Sequence, residues 1–187
     1  MSGRKQQILQ SAIHIIAEEG YGALTMRALA RASDLKLGAL QYHYPTRDDM
    51  LRALIEYITQ EYQALYDTQT RGNESLGLYA VVSIMLAGNG TDNGLTPDKL
   101  WPQLFAMGAA EPLMKDLLNS LYEAYLDILE TALENAGSEA PRPEALCLMA
   151  MLDGVIDFIG RGRHWESDAG AVRDLILGSI EAKYGKS

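Results

Sequence analysis

From Thr25 to Arg47 the chain reads TMRALARASDLKLGALQYHYPTR. Guanidinium, ammonium, amide, phenol and imidazole groups recur through it at helical spacing. Such a mixture suits hydrogen bonding to phosphate oxygens and base edges. Two short helical patterns separated by a tight turn at Ser33-Asp34 fit a helix-turn-helix, whose second helix enters the DNA major groove. Leu35 and Leu40 would anchor that second helix on Ile15 and Ile16, with small Ala30 permitting a close crossing. Lys36, Leu37, Ala39, Gln41, Tyr42 and His43 are then left outside. The same pattern also suits a small helical corner with a solvated polar face.

The charge distribution favours the first reading. The whole chain of 187 residues carries a net charge of −9, which ordinarily argues against nucleic acid. Met1 to Arg52, however, holds seven Lys/Arg against five Asp/Glu, and the remainder nine against twenty. The positive charge is thus concentrated where the outward polar residues are.

Stepping the helical period along the chain predicts an all-α fold. A first helix carries Ile8, Leu9, Ala12, Ile15 and Ile16 and stops at Gly20. Thr25 caps the second, which turns Leu29, Ala30 and Met26 inward. The third runs from about Lys36 to Tyr44 and ends before Pro45. Thr46-Arg47-Asp48-Asp49 starts a long helix striped by Met50, Leu51, Leu54, Ile55, Ile58, Tyr62 and Leu65. Further helices are expected at about Leu76–Ala87, after a cap at Thr96-Pro97, after Pro112, from about Glu144 to Gly160, and from Asp168 to Lys183 with Ser167 as cap. GNGTDNG and GSEAPRP are expected as loops. No repeat or alternating stretch is present.

The stretch TMRALARASDLKLGALQYHYPTRDDML, preceded by AEEGYGAL, resembles the DNA-binding head of the TetR family of transcriptional regulators. The resemblance is dense over roughly Ile8 to Leu54, including the Leu29-Ala30 helix, Gly38-x-Leu40 and the closing Tyr-His-Tyr. It implies a helix-turn-helix domain at residues 1–46 and a helical effector-binding and dimerisation domain at 47–187. By position, it implies that Thr25, Tyr42, His43 and Arg47 contact phosphates, with Lys36 at the same surface. Arg27, Leu37, Ala39 and Gln41 would face base edges: Gln41 suits adenine, Arg27 guanine, and Ala39 a thymine methyl. Two positions depart from the family pattern. Asp34 stands where the turn usually has Gly, and Asp tolerates left-handed backbone. Lys36 stands where Ser or Thr commonly caps the recognition helix; it cannot accept the free backbone N–H groups, and its charge opposes the helix dipole. A frayed recognition helix in the free protein is expected.

Past the head, Trp101, AAEPLM and AMLDGV (Ala150 to Val155) are more weakly similar to the choline-regulator branch. The helix over 144–160 is apolar on more than one face and must be covered on all sides, for which a partner subunit is the natural cover. Leu148, Met151, Val155 and Phe158, with Val172, Leu175, Ile176, Ser179 and Ile180, are the candidate dimer surface; packing inside one monomer is the alternative. Trp101, Phe105, Met107, Met114, Tyr122, Tyr125 and Met149 are candidates for an adaptable apolar pocket. Asp153 and Asp157, one turn apart on that apolar helix, are unusual there. They would suit a cationic ligand, or equally pair with Arg161 or Arg163.

The implied function is a ligand-responsive regulator, by default a repressor, that binds a palindromic operator as a homodimer and is released by a small-molecule effector. The rival is a helical ligand-binding or scaffolding protein without specific DNA binding. An enzyme is not expected: His14, His43 and His164 form no metal motif or nucleophile–base pair, and no cofactor or metal is implied. Cys147, the single cysteine, excludes an internal disulfide and is expected to be buried in its apolar run. No stretch reads as a signal peptide or membrane span, so a cytoplasmic location without membrane contact is expected.

Overall fold

Helical periodicity governs the chain as predicted. The structure, a computed structural model, describes residues 3–70, 76–87 and 97–186, and every regular element among them is helical. In order these are α1 (Gly3–Glu19), α2 (Met26–Ala32), α3 (Leu37–His43), α4 (Arg47–Thr70), α5 (Leu78–Leu86), α6 (Pro97–Ala110), α7 (Pro112–Asn135), α8 (Pro141–Ile159) and α9 (Ala169–Tyr184). Single 3₁₀ turns lie at Tyr21–Ala23 and Glu166–Asp168. The GNGTDNG loop, the Thr96 cap, and the side chains of Tyr62 and Leu65 lie outside the described residues.

Two compact units result, Met1–Ala64 with Thr91–Leu121, and Leu65–Gly90 with Tyr122–Ser187. In the first, Ile8, Leu9, Ile13 and Ile16 of α1 are buried together with Leu29, Leu40, Met50, Leu51, Leu54 and Ile58. Gly20 adopts φ +83 and its N–H donates to the Ile16 carbonyl, which stops α1 where no side chain could follow comfortably. Gly108 of α6 lies so near α7 that a methyl group there would meet Leu118 Cδ1 at 2.7 Å. The second unit is centred on Leu78, Val81, Val82, Leu126, Leu129, Leu133, Ala145, Leu152 and Ile180.

Some sequence expectations shift. α8 begins at Pro141, within the expected loop, because prolines at 141 and 143 occupy a first turn whose N–H groups have no intrahelical acceptor anyway. Ser167 does not cap α9. It sits inside the 3₁₀ turn with its hydroxyl on Asp168 Oδ2, and Asp168 takes the cap position. Cys147 is exposed, because the apolar run around it winds about a helix and only part of it faces the core.

Candidate functional site

The head is built from local rules. The Thr25 hydroxyl accepts the Ala28 N–H at 3.1 Å and so caps α2. Asp34 takes φ +50 in the turn, and the Leu35 N–H returns to the Ala30 carbonyl at 2.8 Å. α3 follows, held by fully buried Leu40, with Tyr44 buried directly after it. Burial, then the Glu56 carboxylate, pushes the Tyr44 hydroxyl up to about 12. Tyr44 also donates to the Lys5 carbonyl, and the Lys5 ammonium lies over its ring, tying the end of α3 to α1. Arg4 reaches the Ser33 carbonyl at 2.9 Å, a tether across the turn that periodicity gave no reason to suspect.

With Leu40 as anchor, the outer surface of α3 is fixed. Gly38, Ala39, Gln41 and Tyr42 are exposed, Leu37 and His43 half-buried, and Tyr42 is 85% exposed with its ring edge-on to His43. Lys36 is the N-cap residue and makes no capping bond, as its chemistry requires. Arg27, on α2, is exposed. Thus Arg27, Lys36, Ala39, Gln41 and Tyr42 are open to solvent on two short elements set by a packed core.

Arg47 differs from the others. It opens α4, where Thr46 and Asp49 form a reciprocal capping box: Asp49 N–H to Thr46 Oγ1 at 3.0 Å, and Thr46 N–H to Asp49 Oδ2 at 3.1 Å. Its guanidinium does not stand free. It forks onto Glu111 through Nη1–Oε2 at 2.5 Å and Nη2–Oε1 at 2.8 Å. The bonds raise the arginine and lower the glutamate from their ordinary values, each mainly through the hydrogen bond of the other. Glu111 is the single non-helical residue between α6 and α7. Two more contacts join α6 to the head region: Lys99 to Glu18 at 2.7 Å, and Gln103 Oε1 accepting the Tyr21 N–H at 3.1 Å. Glu111 and Gln103 were missed in the sequence, since nothing local links positions 64 or 82 residues apart.

The pocket candidates fall in both units. Trp101, Phe105 and Met114 belong to the first, where the rings of Trp101 and Phe105 stand 6.0 Å apart. Tyr122, Tyr125, Met149, Asp153 and Asp157 belong to the second. There the Tyr122 hydroxyl donates to Asp153 Oδ2 at 3.1 Å. Burial raises the Asp153 carboxyl to about 6, Asp157 adds to the rise, and the Tyr122 bond opposes it. Burial and the two carboxylates also raise the Tyr122 hydroxyl. Asp157 itself is exposed. Among the described residues neither aspartate pairs with Arg161 or Arg163.

The dimer candidates divide by exposure. Leu148, Val155, Ile176 and Ile180 are buried within the second unit's core, and Val172 is half-buried against it. Phe158 (64%), Leu175 (73%), Met151 and Ser179 remain exposed, as does Leu146. Glu144 clasps α8 to the end of α9, accepting from Tyr184 at 2.5 Å and Lys183 at 2.9 Å.

Comparison with known proteins agrees with this geometry. Residues 8–54 match the family described as bacterial regulatory proteins, tetR family. The HTH-type transcriptional repressor KstR2 of Mycolicibacterium smegmatis is 30% identical over 83 residues, covering 42% of this chain and 40% of that protein. The chain spans about two fifths of the length of the first curated relatives it matches. In three dimensions it is similar to a TetR-family regulator candidate from Rhodococcus sp., with TM-score 0.78, 22% identity, and coverage of 98% of this chain and 100% of the other. It is also similar to a candidate transcriptional regulator from Saccharomonospora viridis solved in complex with choline, with TM-score 0.70, 19% identity and 97% coverage of each. At these identities the structural likeness is one of fold.

Proposed function

We propose that the chain, whose residues 8–54 match the tetR family of bacterial regulatory proteins, is a ligand-responsive transcriptional regulator, by default a repressor, that binds a two-fold duplex site as a homodimer. The observation that carries this is the outer face of α3. A seven-residue helix anchored by buried Leu40 displays Ala39, Gln41 and an almost wholly exposed Tyr42, with Arg27 exposed on α2. A helix this short has no stability of its own to justify an exposed aromatic ring; an amide, a guanidinium and a methyl group presented there suit the major groove. Arg27, Leu37, Ala39 and Gln41 read bases, while Thr25, Lys36, Tyr42, His43 and Arg47 contact the backbone.

The exposed apolar side chains of α8 and α9, Met151, Phe158 and Leu175, support a contact between two copies, which supplies the second head that a palindromic site needs. Asp153 supports a cationic effector. Its carboxylate is half-buried, bonded to Tyr122, and has no cationic partner among the described residues. Such an effector relieves repression only if it binds the DNA-incompetent state more tightly.

Selection of binding sites from random duplex DNA at two salt concentrations tests the reading. A two-fold consensus is the expected result. Binding without sequence preference that vanishes at moderate salt would overturn it in favour of a helical ligand-binding or scaffolding protein.

A further inference from the structure

The fork between Arg47 and Glu111 bears on how tightly the head holds a duplex. Arg47 is separated from α3 by three residues and opens α4 beside the exposed Thr46-Asp49 box. On the proposed reading this places it at the DNA backbone. Yet both terminal nitrogens of its guanidinium already donate to one carboxylate, at 2.5 and 2.8 Å. Both side chains keep about a third of their surface open, 34% and 28%, so the pair is reachable from solvent. A guanidinium bound end-on to a carboxylate is neutralised as well as occupied, and a phosphate gains from it only by competing with that carboxylate.

We infer that Glu111 is an internal competitor for DNA phosphate at Arg47, so that the α6–α7 junction sets the affinity of the head without touching its sequence preference. This rests on the DNA-binding reading above. It adds a residue that lies outside the helix-turn-helix, and it assigns that residue a quantity, the backbone charge available to the duplex. A separate ion pair, Lys99 of α6 with Glu18 of α1, offers an internal comparison, because it removes no arginine from the start of α4.

The test needs no knowledge of the operator, since phosphate contacts are independent of sequence. Affinity of the full chain for a mixed-sequence duplex would be titrated against salt for wild type, Glu111→Gln, Arg47→Gln, the double variant and Glu18→Gln. Glu111→Gln should tighten binding roughly threefold or more per head at low salt, and steepen the log–log salt slope by about 0.9 per head if the freed guanidinium takes a phosphate. Both gains should disappear in the double variant, and Glu18→Gln should show neither. Unchanged or weaker binding by Glu111→Gln, or a gain that persists without Arg47, would overturn the inference. A wild-type protein that binds no duplex at all would instead overturn the regulator reading. Should Glu111→Gln lose its helical signal, Glu111→Asp keeps the charge but shortens the reach; a partial gain in affinity supports competition, and none refutes it.

Discussion

The Tyr122 hydroxyl and Asp153 Oδ2 are joined at 3.1 Å across α7 and α8, and the hydroxyl is the only hydrogen-bond donor to that carboxylate among the described residues. Because burial raises the Asp153 carboxyl from 3.8 to about 6, the folded state holds its proton more tightly than the unfolded chain does. The stability this contributes is complete below the unfolded value and is lost as pH rises through about 6. Asp153→Asn keeps an acceptor for Tyr122 and removes the charge. Its Tm should match wild type near pH 3, below the unfolded value, and exceed it near pH 8, by the equivalent of ~1–2 kcal/mol after allowance for partial solvation. A variant that melts below wild type at both pH values would refute this account.

If a cationic effector binds at Asp153, as proposed, the same carboxyl sets the pH dependence of that binding. Affinity for a quaternary-ammonium probe such as choline should rise as pH increases through about 6, where the carboxylate ionises. Calorimetric titration at two pH values checks this, and the rise should be absent in Asp153→Asn.

Lys36 opens α3 without a capping bond. Lys36→Ser would provide an acceptor for the first-turn N–H groups and should stabilise the head by about 1 kcal/mol. It also removes a cation from the duplex face, so the salt slope should flatten by about 0.9 per head. Amide exchange on α3 reads the first effect and a salt titration the second; an unchanged slope would place Lys36 away from the DNA.

Leu175 and Phe158 are among the most exposed large apolar side chains. Leu175→Glu combined with Phe158→Glu should leave the monomer folded and convert a dimer into single chains in sedimentation velocity. Persistence of the dimer would move the contact to another face.

How much of this could be read beforehand follows the range of each interaction. Thr25 as cap, Gly20 as stop, Asp34 in the left-handed turn and Leu40 as anchor are set by neighbours within a few residues, and all were legible. The apolar stripes of α8 were legible as stripes, but their assignment was not. Leu148 and Val155 turn inward while Met151 and Phe158 stay outside, and only the arrangement of α5, α8 and α9 decides that. The place of Arg47 in the head points to a phosphate contact, whereas its fork onto Glu111 spans 64 positions and leaves no periodic trace. Asp153 stands out in the sequence as a carboxylate on an apolar helix, but its partner is a phenol instead of an arginine.

Cys147, exposed on α8 next to Leu146, offers a built-in gauge of whether two copies meet through that side of α8. With one cysteine thiol in the chain, thiol alkylation reports a single location. If two copies cover that side of α8, the thiol should be shielded in concentrated solution and react faster on dilution, with no engineered label and no change to the sequence.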